Sequence, residues 1–305
     1  YYWGNVTRIS PEAPVPVVEV DSQSTRLGGA ANVANNIASL GGIPLMLGVT
    51  GDDEAGALLR GLARDAGFSD EGIITDPLRP TTVKTRVIAH HQHVVRIDQE
   101  SKADIDDTAL RKILDVLEER IRSLQAIVLE DYNKGVVVRP LIQAVVQRAR
   151  KQGIPVTVDP KFNNFFEYRN DTVFKPKRKE TEEALGIRLH SAAVVEQAGL
   201  QIMKRLEASS VLLTLGEEGM ALCEGNGRLH RIPTKARRVA DVSGAGDTVI
   251  STLTVALAGG ATVPEAAVLA NYAGGVVCGE VGIVPIEPQA LRQAIEEDRQ
   301  QEMKA

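Results

Sequence analysis

The chain has 305 residues, 43% of them hydrophobic and 25% charged, the composition of a globular protein able to bury a sizeable core. Its formal net charge of -5 gives no general attraction to nucleic acid or to an anionic membrane, so any anion-binding site has to be local. No apolar run reaches the ~18 to 20 residues of a spanning helix and no N-terminal secretory pattern is present. With two distant cysteines, Cys223 and Cys278, that lack metal-like spacing, this predicts a cytoplasmic protein with free thiols and no nucleic-acid or membrane partner.

In chain order, the first readable segment is Val15 to Val20, rich in valine but punctuated by Pro11, Pro14 and Pro16. Proline cannot donate to a central ladder, so the segment reads as an edge or outlying strand. Next comes Gly28-Gly29-Ala30-Ala31-Asn32-Val33-Ala34-Asn35-Asn36-Ile37-Ala38-Ser39-Leu40-Gly41-Gly42. Its small residues let a helix approach a ligand or a sheet closely, and Gly41 can stop it. Asn32 can donate to and accept from a sugar hydroxyl, while Asn32 and Asn35 could equally satisfy local backbone groups. Pro44 to Val49 reads as a buried strand and Glu54 to Ala66 as an amphipathic helix ending before Gly67.

Two extended runs follow, Val83 to Ala89 and Val94 to Asp98, joined through His90-His91-Gln92-His93. Strand alternation points Lys84, Arg86, Arg96 and Asp98 to one side. With Val15 to Val20 these runs suit a small separate sheet, a lid carrying cations over an anionic substrate; the alternative is a solvated strand face. No Asp, Glu or Cys at suitable spacing completes a metal set with the histidines.

From here strand and helix alternate: a strand at Ala126 to Leu129, a helix at Val137 to Lys151, a strand at Pro155 to Val158, a helix at Val194 to Leu206 and a strand at Ser210 to Leu215. Two helices flank Gly259-Gly260, and a charged terminal helix runs from Glu287. The rhythm predicts an α/β fold, a mostly parallel sheet covered by helices on both faces. Three stretches lie just beyond strands, where open parallel sheets bind ligands. They are Glu130-Asp131-Tyr132-Asn133-Lys134-Gly135, Asp159-Pro160-Lys161 and Thr214-Leu215-Gly216-Glu217-Glu218-Gly219. Asp, Asn and Gly are also the usual turn residues. The basic run Lys175-Pro176-Lys177-Arg178-Lys179 before Glu180 reads either as a solvated helix start or as cations facing phosphate beside a Mg-associated carboxylate.

Asp241-Val242-Ser243-Gly244-Ala245-Gly246-Asp247-Thr248 carries the sharpest chemistry. A glycine-rich turn opening the apolar helix from Val249 presents bare N–H groups that attract an anion. A carboxylate there is useful when it faces a hydroxyl to be deprotonated. Read alone, Asp247 could also be an ordinary helix cap.

Two of these stretches together resemble the two signatures of the ribokinase (pfkB-type) sugar kinases: Gly28-Gly29-Ala30-Ala31-Asn32 followed by Gly41 and Gly51, and Asp241 through Asp247. The match spans nearly the whole chain. Within that family, the stretches from Arg8 to Val17, Gly28 to Ala34 and Asp131 to Gly135 are most similar to kinases acting on the anomeric hydroxyl of D-glycero-β-D-manno-heptose 7-phosphate. The resemblance implies one kinase domain over residues 1–305, a ribokinase-like three-layer sandwich, and a small β-lid from about 5–26 and 81–99 that makes homodimer contacts. It implies Asp247 as base and the amides of Gly244, Ala245 and Gly246 as the hole for transferred phosphate charge. Thr214, Gly216, Gly219, Asn271, Lys177 and Lys161 are expected at the nucleotide. Gly28, Gly29, Asn32, Asp98, Asp131 and Lys134 are expected at the sugar, with Lys84, Arg86 or Arg96 on its resident phosphate.

The implied cofactors are ATP and Mg²⁺, the latter attended by Glu180 through water; a monovalent cation stays open. The expected task is the kinase step of ADP-heptose formation for lipopolysaccharide, without the nucleotidyl transfer. Other sugar kinases of the family, acting on fructose phosphate, ribose or a keto-deoxy sugar acid, remain the alternative, as does a sensor that kept the fold. Two departures stand out. Lys177 occupies the place where the family's metal-associated motif carries Asn, and the family's first strand, ending in acidic sugar-binding residues, lies ahead of Tyr1 in the pattern.

Overall fold

The computed structural model describes residues 1–90, 92–236 and 238–303, so His91 of the histidine-rich turn lies outside the described residues. The chain opens with β1 (Tyr2–Ile9), β2 (Pro16–Gln23), α1 (Ala30–Ser39), β3 (Gly48–Thr50), α2 (Glu54–Asp65), β4 (Ile73–Thr75), β5 (Val83–Ala89) and β6 (Gln92–Gln99). It continues through α3 (Asp107–Arg120), β7 (Ile127–Glu130), α4 (Arg139–Gln152), β8 (Val156–Asp159), β9 (Val173–Phe174), α5 (Arg178–Leu185) and α6 (Ala192–Leu206). It closes with β10 (Ser210–Thr214), β11 (Met220–Glu224), β12 (Leu229–Ile232), α7 (Ala245–Ala258), α8 (Val263–Val277) and α9 (Pro288–Glu302).

A six-stranded sheet in the order β12-β11-β10-β9-β8-β7 is parallel from β7 to β10 and antiparallel at β11 and β12. Strand alternation sorts its side chains into two cores. Val211 and Leu213 of β10 join a cluster with Ile113 of α3, Ile142 and Val145 of α4 and Ile202 of α6. Leu212 between them joins Val33 of α1, Ile250 and Leu253 of α7 and Ala270 of α8 on the other face. The result is three layers, helices over both faces of a parallel-rich sheet, as the alternating rhythm predicts. No helix among the described residues is long and apolar enough to cross a membrane.

A second sheet of four strands, β2-β1-β5-β6, is built from 2–23 and 83–99, and β3 and β4 pair separately. Pairing of Lys84 with Asp98 and of Arg86 with Arg96 across β5 and β6 puts these four residues on one side, as alternation requires. The expected strand at Pro44 to Val49 is reduced to β3 and a single bridge from Leu45 to Ser69; Pro44 lacks an N–H to donate to a ladder, and Gly72 packs so closely on Met46 that a Cβ on Gly72 would collide with the Met46 carbonyl oxygen.

Two details place the site. Glu130 ends β7 and Asp159 ends β8, and the parallel register sets them side by side at the carboxyl edge of the sheet. Helix α7 packs on one face of the sheet, tied to β8 by the hydroxyls of Thr157 and Thr254 at 2.6 Å, and its first turn reaches the strand ends, bringing Asp247 beside Glu130 and Asp159.

Candidate active site

The turn leading into α7 is held by Asp241, whose Oδ1 accepts from Ser243 N at 2.9 Å and whose Oδ2 accepts from Gly282 N at 3.0 Å. Gly244 caps the helix at φ 81°, a left-handed conformation suited to glycine, and a Cβ there would stand 3.1 Å from Asn32 Nδ2. Among the described residues no protein group accepts from the backbone N–H of Gly244, Gly246 or Asp247, whereas Ala245 N donates to Val242 O at 3.3 Å. The free donors therefore differ from the expected Gly244, Ala245 and Gly246 set by one residue.

Asp247, the third residue of α7, is 7% exposed. Tyr132 donates its hydroxyl to Oδ1 at 2.8 Å, and Asn32 donates Nδ2 to Oδ2 at 2.8 Å. Burial raises the carboxyl above the ordinary aspartate range, and these two hydrogen bonds pull the other way by favouring the ionised form. Asn32 is itself fixed: Asn36 donates to its backbone carbonyl at 2.9 Å and its Oδ1 at 3.2 Å. Asn36 Oδ1 accepts from Thr248 Oγ1 at 3.1 Å and Ile286 N at 2.9 Å, which locks α1 to α7. Asp247 is thus a buried, oriented carboxylate at an anion-attracting helix end rather than an ordinary cap.

Beside it lie Glu130 and Asp159, and one ligand oxygen from each of the three acids falls within 4.8 Å of the others. Burial, reinforced by the charges of Asp159 and Asp247, raises the Glu130 carboxyl well above its ordinary range. Glu130 Oε2 and Asp159 Oδ1 are buried without a hydrogen-bond partner among the described residues. Lys175, fully buried, donates to Asp159 Oδ2 at 2.8 Å. Burial alone would lower that ammonium, but Asp159 and Glu130 outweigh it and hold the lysine above its usual value. Two orphaned carboxylate oxygens in a cluster of three acids suit a hard divalent cation, so the residues fit the metal the resemblance implies.

A profile described as pfkB family carbohydrate kinase matches residues 1–290. The chain belongs to the pfkB family of carbohydrate kinases. This kinase is 44% identical over 291 residues to the bifunctional protein HldE of Citrifermentans bemidjiense, an alignment covering 95% of the chain and 60% of that relative. Against the bifunctional protein HldE of Geobacter sulfurreducens it is 43% identical over 291 residues, covering 95% and 59%. The kinase spans about three fifths of the length of these curated relatives. Tetrameric inhibited phosphofructokinase-2 from Escherichia coli shares its fold with a TM-score of 0.76 at 18% identity, over 97% of this chain and 94% of that one. Arabidopsis thaliana ribokinase complexed with ribose and ATP gives 0.74 at 20% identity, over 96% and 95%. The fold is ribokinase-like and the kinase is a phosphotransferase with an alcohol acceptor, a class that uses a sugar, ATP and a divalent metal.

The structure distributes the other expected residues unevenly. Gly29, at φ 58°, brings α1 against Tyr132, with a Cβ position 3.5 Å from the ring, and Gly28 is exposed beside it. Lys161 pairs with Glu180 Oε1 and stands 5.9 Å over the Tyr132 ring. Glu180 Oε2 accepts from Lys177 N at 2.9 Å. Both Glu180 oxygens are engaged by protein, while the ligand atoms without a protein partner among the described residues belong to Glu130 and Asp159.

Thr214 donates its backbone N–H to Pro176 O at 3.0 Å, and Gly216, at φ 68°, follows in the turn after β10. Gly219, at φ 83°, touches the Ile232 carbonyl where a Cβ would stand, and Asn271 donates Nδ2 to Pro233 O at 2.7 Å, so both shape the loop around β12. Asp131 is buried, accepting from Asn133 N at 2.7 Å, Asn164 Nδ2 at 3.0 Å and Tyr168 Oη at 2.7 Å. Its acceptor capacity holds the loop after β7 in shape, which corrects its expected role as a sugar ligand.

The four-stranded sheet brings a second correction. Lys84 is neutralised by Asp98 at 3.0 Å and Glu100 at 3.1 Å, Arg96 by Asp98 at 3.0 Å, and Lys134 by Glu100. Asp98 itself is held below the usual carboxylate range, chiefly by its hydrogen bond from Lys84. Arg86 instead stands 5.4 Å from the Tyr1 ring centroid, and Arg26 stands 5.6 Å from it. Sequence reasoning places Glu130, Tyr132 and Asp159 only within strand-end stretches and Lys175 within a basic run, without a role for each, and it assigns nothing to Asn36 or Arg26. Acidic residues ending two adjacent strands are the signal that points to Glu130 and Asp159; Tyr132 and Asn36 show theirs only through contacts across the fold.

Proposed function

We propose that this kinase transfers the γ-phosphoryl group of ATP to the anomeric hydroxyl of D-glycero-β-D-manno-heptose 7-phosphate, in ADP-heptose formation for lipopolysaccharide. The observation that carries a sugar-kinase mechanism is the Asp247 carboxylate, held on both oxygens by Asn32 and Tyr132 at a helix N-terminus with free amides. The choice of heptose rests on the stretches from Arg8, Gly28 and Asp131 together with the similarity to HldE proteins.

In this reading Asp247 accepts the proton of the sugar hydroxyl as that oxygen forms its bond to the γ-phosphorus. The amides of Gly244, Gly246 and Asp247 meet the charge that develops on the phosphoryl oxygens; one such donor is worth about 3 to 4 kcal/mol. Glu130 and Asp159 would hold Mg²⁺, which would supply positive charge to neutralise the phosphates. Lys175 orients Asp159 through its hydrogen bond to Oδ2, and Lys161 holds Glu180 in the same way.

A cavity of about 340 Å³ lined by Arg26, Asn32, Asn35 and Leu62 lies next to the Asn32–Asp247 pair, a size suited to a small polar ligand. Its Arg26 end, with Arg86 nearby at Tyr1, is where we place the substrate's resident phosphate, in preference to the neutralised Lys84 and Arg96. The exposed apolar residues Ile9, Val20, Val95 and Ile97 of the four-stranded sheet support its use as a homodimer contact. The test is ATP consumption with a panel of sugars with and without a resident phosphate. Preference for heptose 7-phosphate is expected; preference for fructose phosphate, ribose or a sugar acid, or binding with no transfer at all, would replace this reading.

A further inference from the structure

Of the four lysines around the carboxylate cluster and the basic run, three are engaged. Lys175 is bound to Asp159, Lys161 to Glu180, and Lys179 to Glu183 at 3.7 Å. Lys177 makes no ion pair among the described residues, and only its backbone is tied down. Glu180 Oε2 accepts its N–H at 2.9 Å, Thr181 N donates to its carbonyl at 2.9 Å, and the segment bridges in parallel to Thr214. From that fixed point the side chain reaches across to the first turn of α7. A Cβ on Gly246 would stand 3.3 Å from Lys177 Cε and 3.4 Å from Nζ, with Asp159 Oδ2 at 3.8 Å from the same point. An ammonium with no ion pair among the described residues thus lies against the helix end whose Gly246 and Asp247 amides have no acceptor among those residues, near the Asp159 carboxylate whose other oxygen, Oδ1, is orphaned.

Resting on the kinase reading, we propose that Lys177 is a catalytic cation that contacts the oxygens of the phosphoryl group in flight, rather than the nucleotide as a whole. The acceptor oxygen bonds to the γ-phosphorus while the bond from that phosphorus to the β,γ-bridging oxygen breaks. The bridging electrons leave on ADP, the hydroxyl proton passes to Asp247, and Lys177 keeps its three protons throughout. A glycine at 246 is then required so that the ammonium can close on the turn. An ammonium here supplies the fixed positive charge that a neutral side chain could offer only as a dipole, so it reduces the demand on the divalent cation.

The test compares Lys177→Met, Lys177→Arg and, as a control on the same helix start, Lys179→Met, in steady-state kinetics, Mg²⁺ titration and calorimetric binding of ADP and inorganic tripolyphosphate. Lys177→Met is expected to lower kcat about 100-fold, the loss typical of one transition-state charge donor. It should also raise the Mg²⁺ concentration needed for half-maximal rate and weaken tripolyphosphate more than ADP. Lys177→Arg should recover most of the rate, and Lys179→Met should match the parent. Because the Lys177 side chain is exposed with no ion pair among the described residues, and Lys179 makes only an exposed surface pair, thermal unfolding should be unchanged in all three. A Lys177→Met enzyme within about twofold of the parent in kcat would overturn the proposal. If the parent transfers phosphate to no sugar, the kinase reading itself fails; equal tripolyphosphate affinity of parent and Lys177→Met would then overturn the Lys177 assignment separately.

Discussion

Tyr132→Phe isolates one element of the mechanism with little collateral change. It deletes the hydroxyl that donates to Asp247 Oδ1 at 2.8 Å and keeps the ring that packs on Gly29 and faces Lys161. Asn32 still donates to Oδ2 at 2.8 Å, so the carboxyl stays in place. A hydrogen bond to a charged group contributes about 1.5 to 3 kcal/mol. At about 1.4 kcal/mol per factor of ten, that is roughly a 10- to 100-fold change in the balance between ionised and neutral Asp247. The lost bond favours the ionised form, so its removal pushes further up a group that burial already raises. A base must be ionised to act. The acid limb of kcat/KM against pH should therefore move to higher pH, with about 10- to 100-fold lower activity below the limb and substantial recovery above it. The assay is ATP turnover with sugar phosphate across the pH range. A profile that superimposes on the parent, or moves to lower pH, would refute the claim that Tyr132 holds Asp247 in its basic form.

Three further outcomes follow from the same geometry. Asp247→Asn should lower kcat about 100- to 10,000-fold while calorimetry shows ATP still bound, since the base is lost and the amide turn remains. Asp159→Asn should raise the Mg²⁺ requirement in a metal titration of activity, because it weakens a ligand whose Oδ1 has no protein partner among the described residues. Asp171, buried at the start of β9 with neither oxygen paired among the described residues, is raised well above its unfolded value by desolvation. The unfolded chain therefore releases this proton at lower pH than the folded one, and the residue's contribution to stability falls as pH rises through the raised value. Asp171→Asn should flatten that loss, raising Tm relative to the parent at neutral pH and converging with it as pH falls toward 4, followed by scanning calorimetry.

Much of this architecture is legible in the sequence because periodicity and burial agree. Val83 to Ala89 is observed with the predicted bounds, and the helices on either side of Gly259-Gly260 form where apolar runs are bounded by glycine. Strand β1 is not, since most of its residues are exposed, none is fully buried, and Gly4 and Asn5 break any alternation. The hairpin of β11 and β12 and helix α3 are absent from the sequence reading although their signals are present: Asn226-Gly227 between two short apolar runs, and Asp106 accepting from Ala109 N at 2.7 Å ahead of Ile113 and Leu117.

The site divides in the same way. Asp247 and its glycine turn are local signals, readable from adjacent residues. Whether a cation is free is not local. Lys84 and Arg96 look like substrate contacts until the fold sets Asp98 and Glu100 against them, and only the fold shows that Lys161 and the Lys177 amide hold Glu180 while Glu130 and Asp159 keep oxygens without a partner among the described residues. Lys177 is the reverse case, a departure from the family motif whose meaning comes from its reach to Gly246.

The most direct test of the account is phosphorus NMR of the product formed from ATP and heptose 7-phosphate by the parent enzyme. The account predicts a second phosphate resonance coupled to the anomeric proton, with the original 7-phosphate unchanged, and no such product from Asp247→Asn. A phosphate on any other carbon, or an anomeric phosphate still formed at the parental rate by Asp247→Asn, would contradict it.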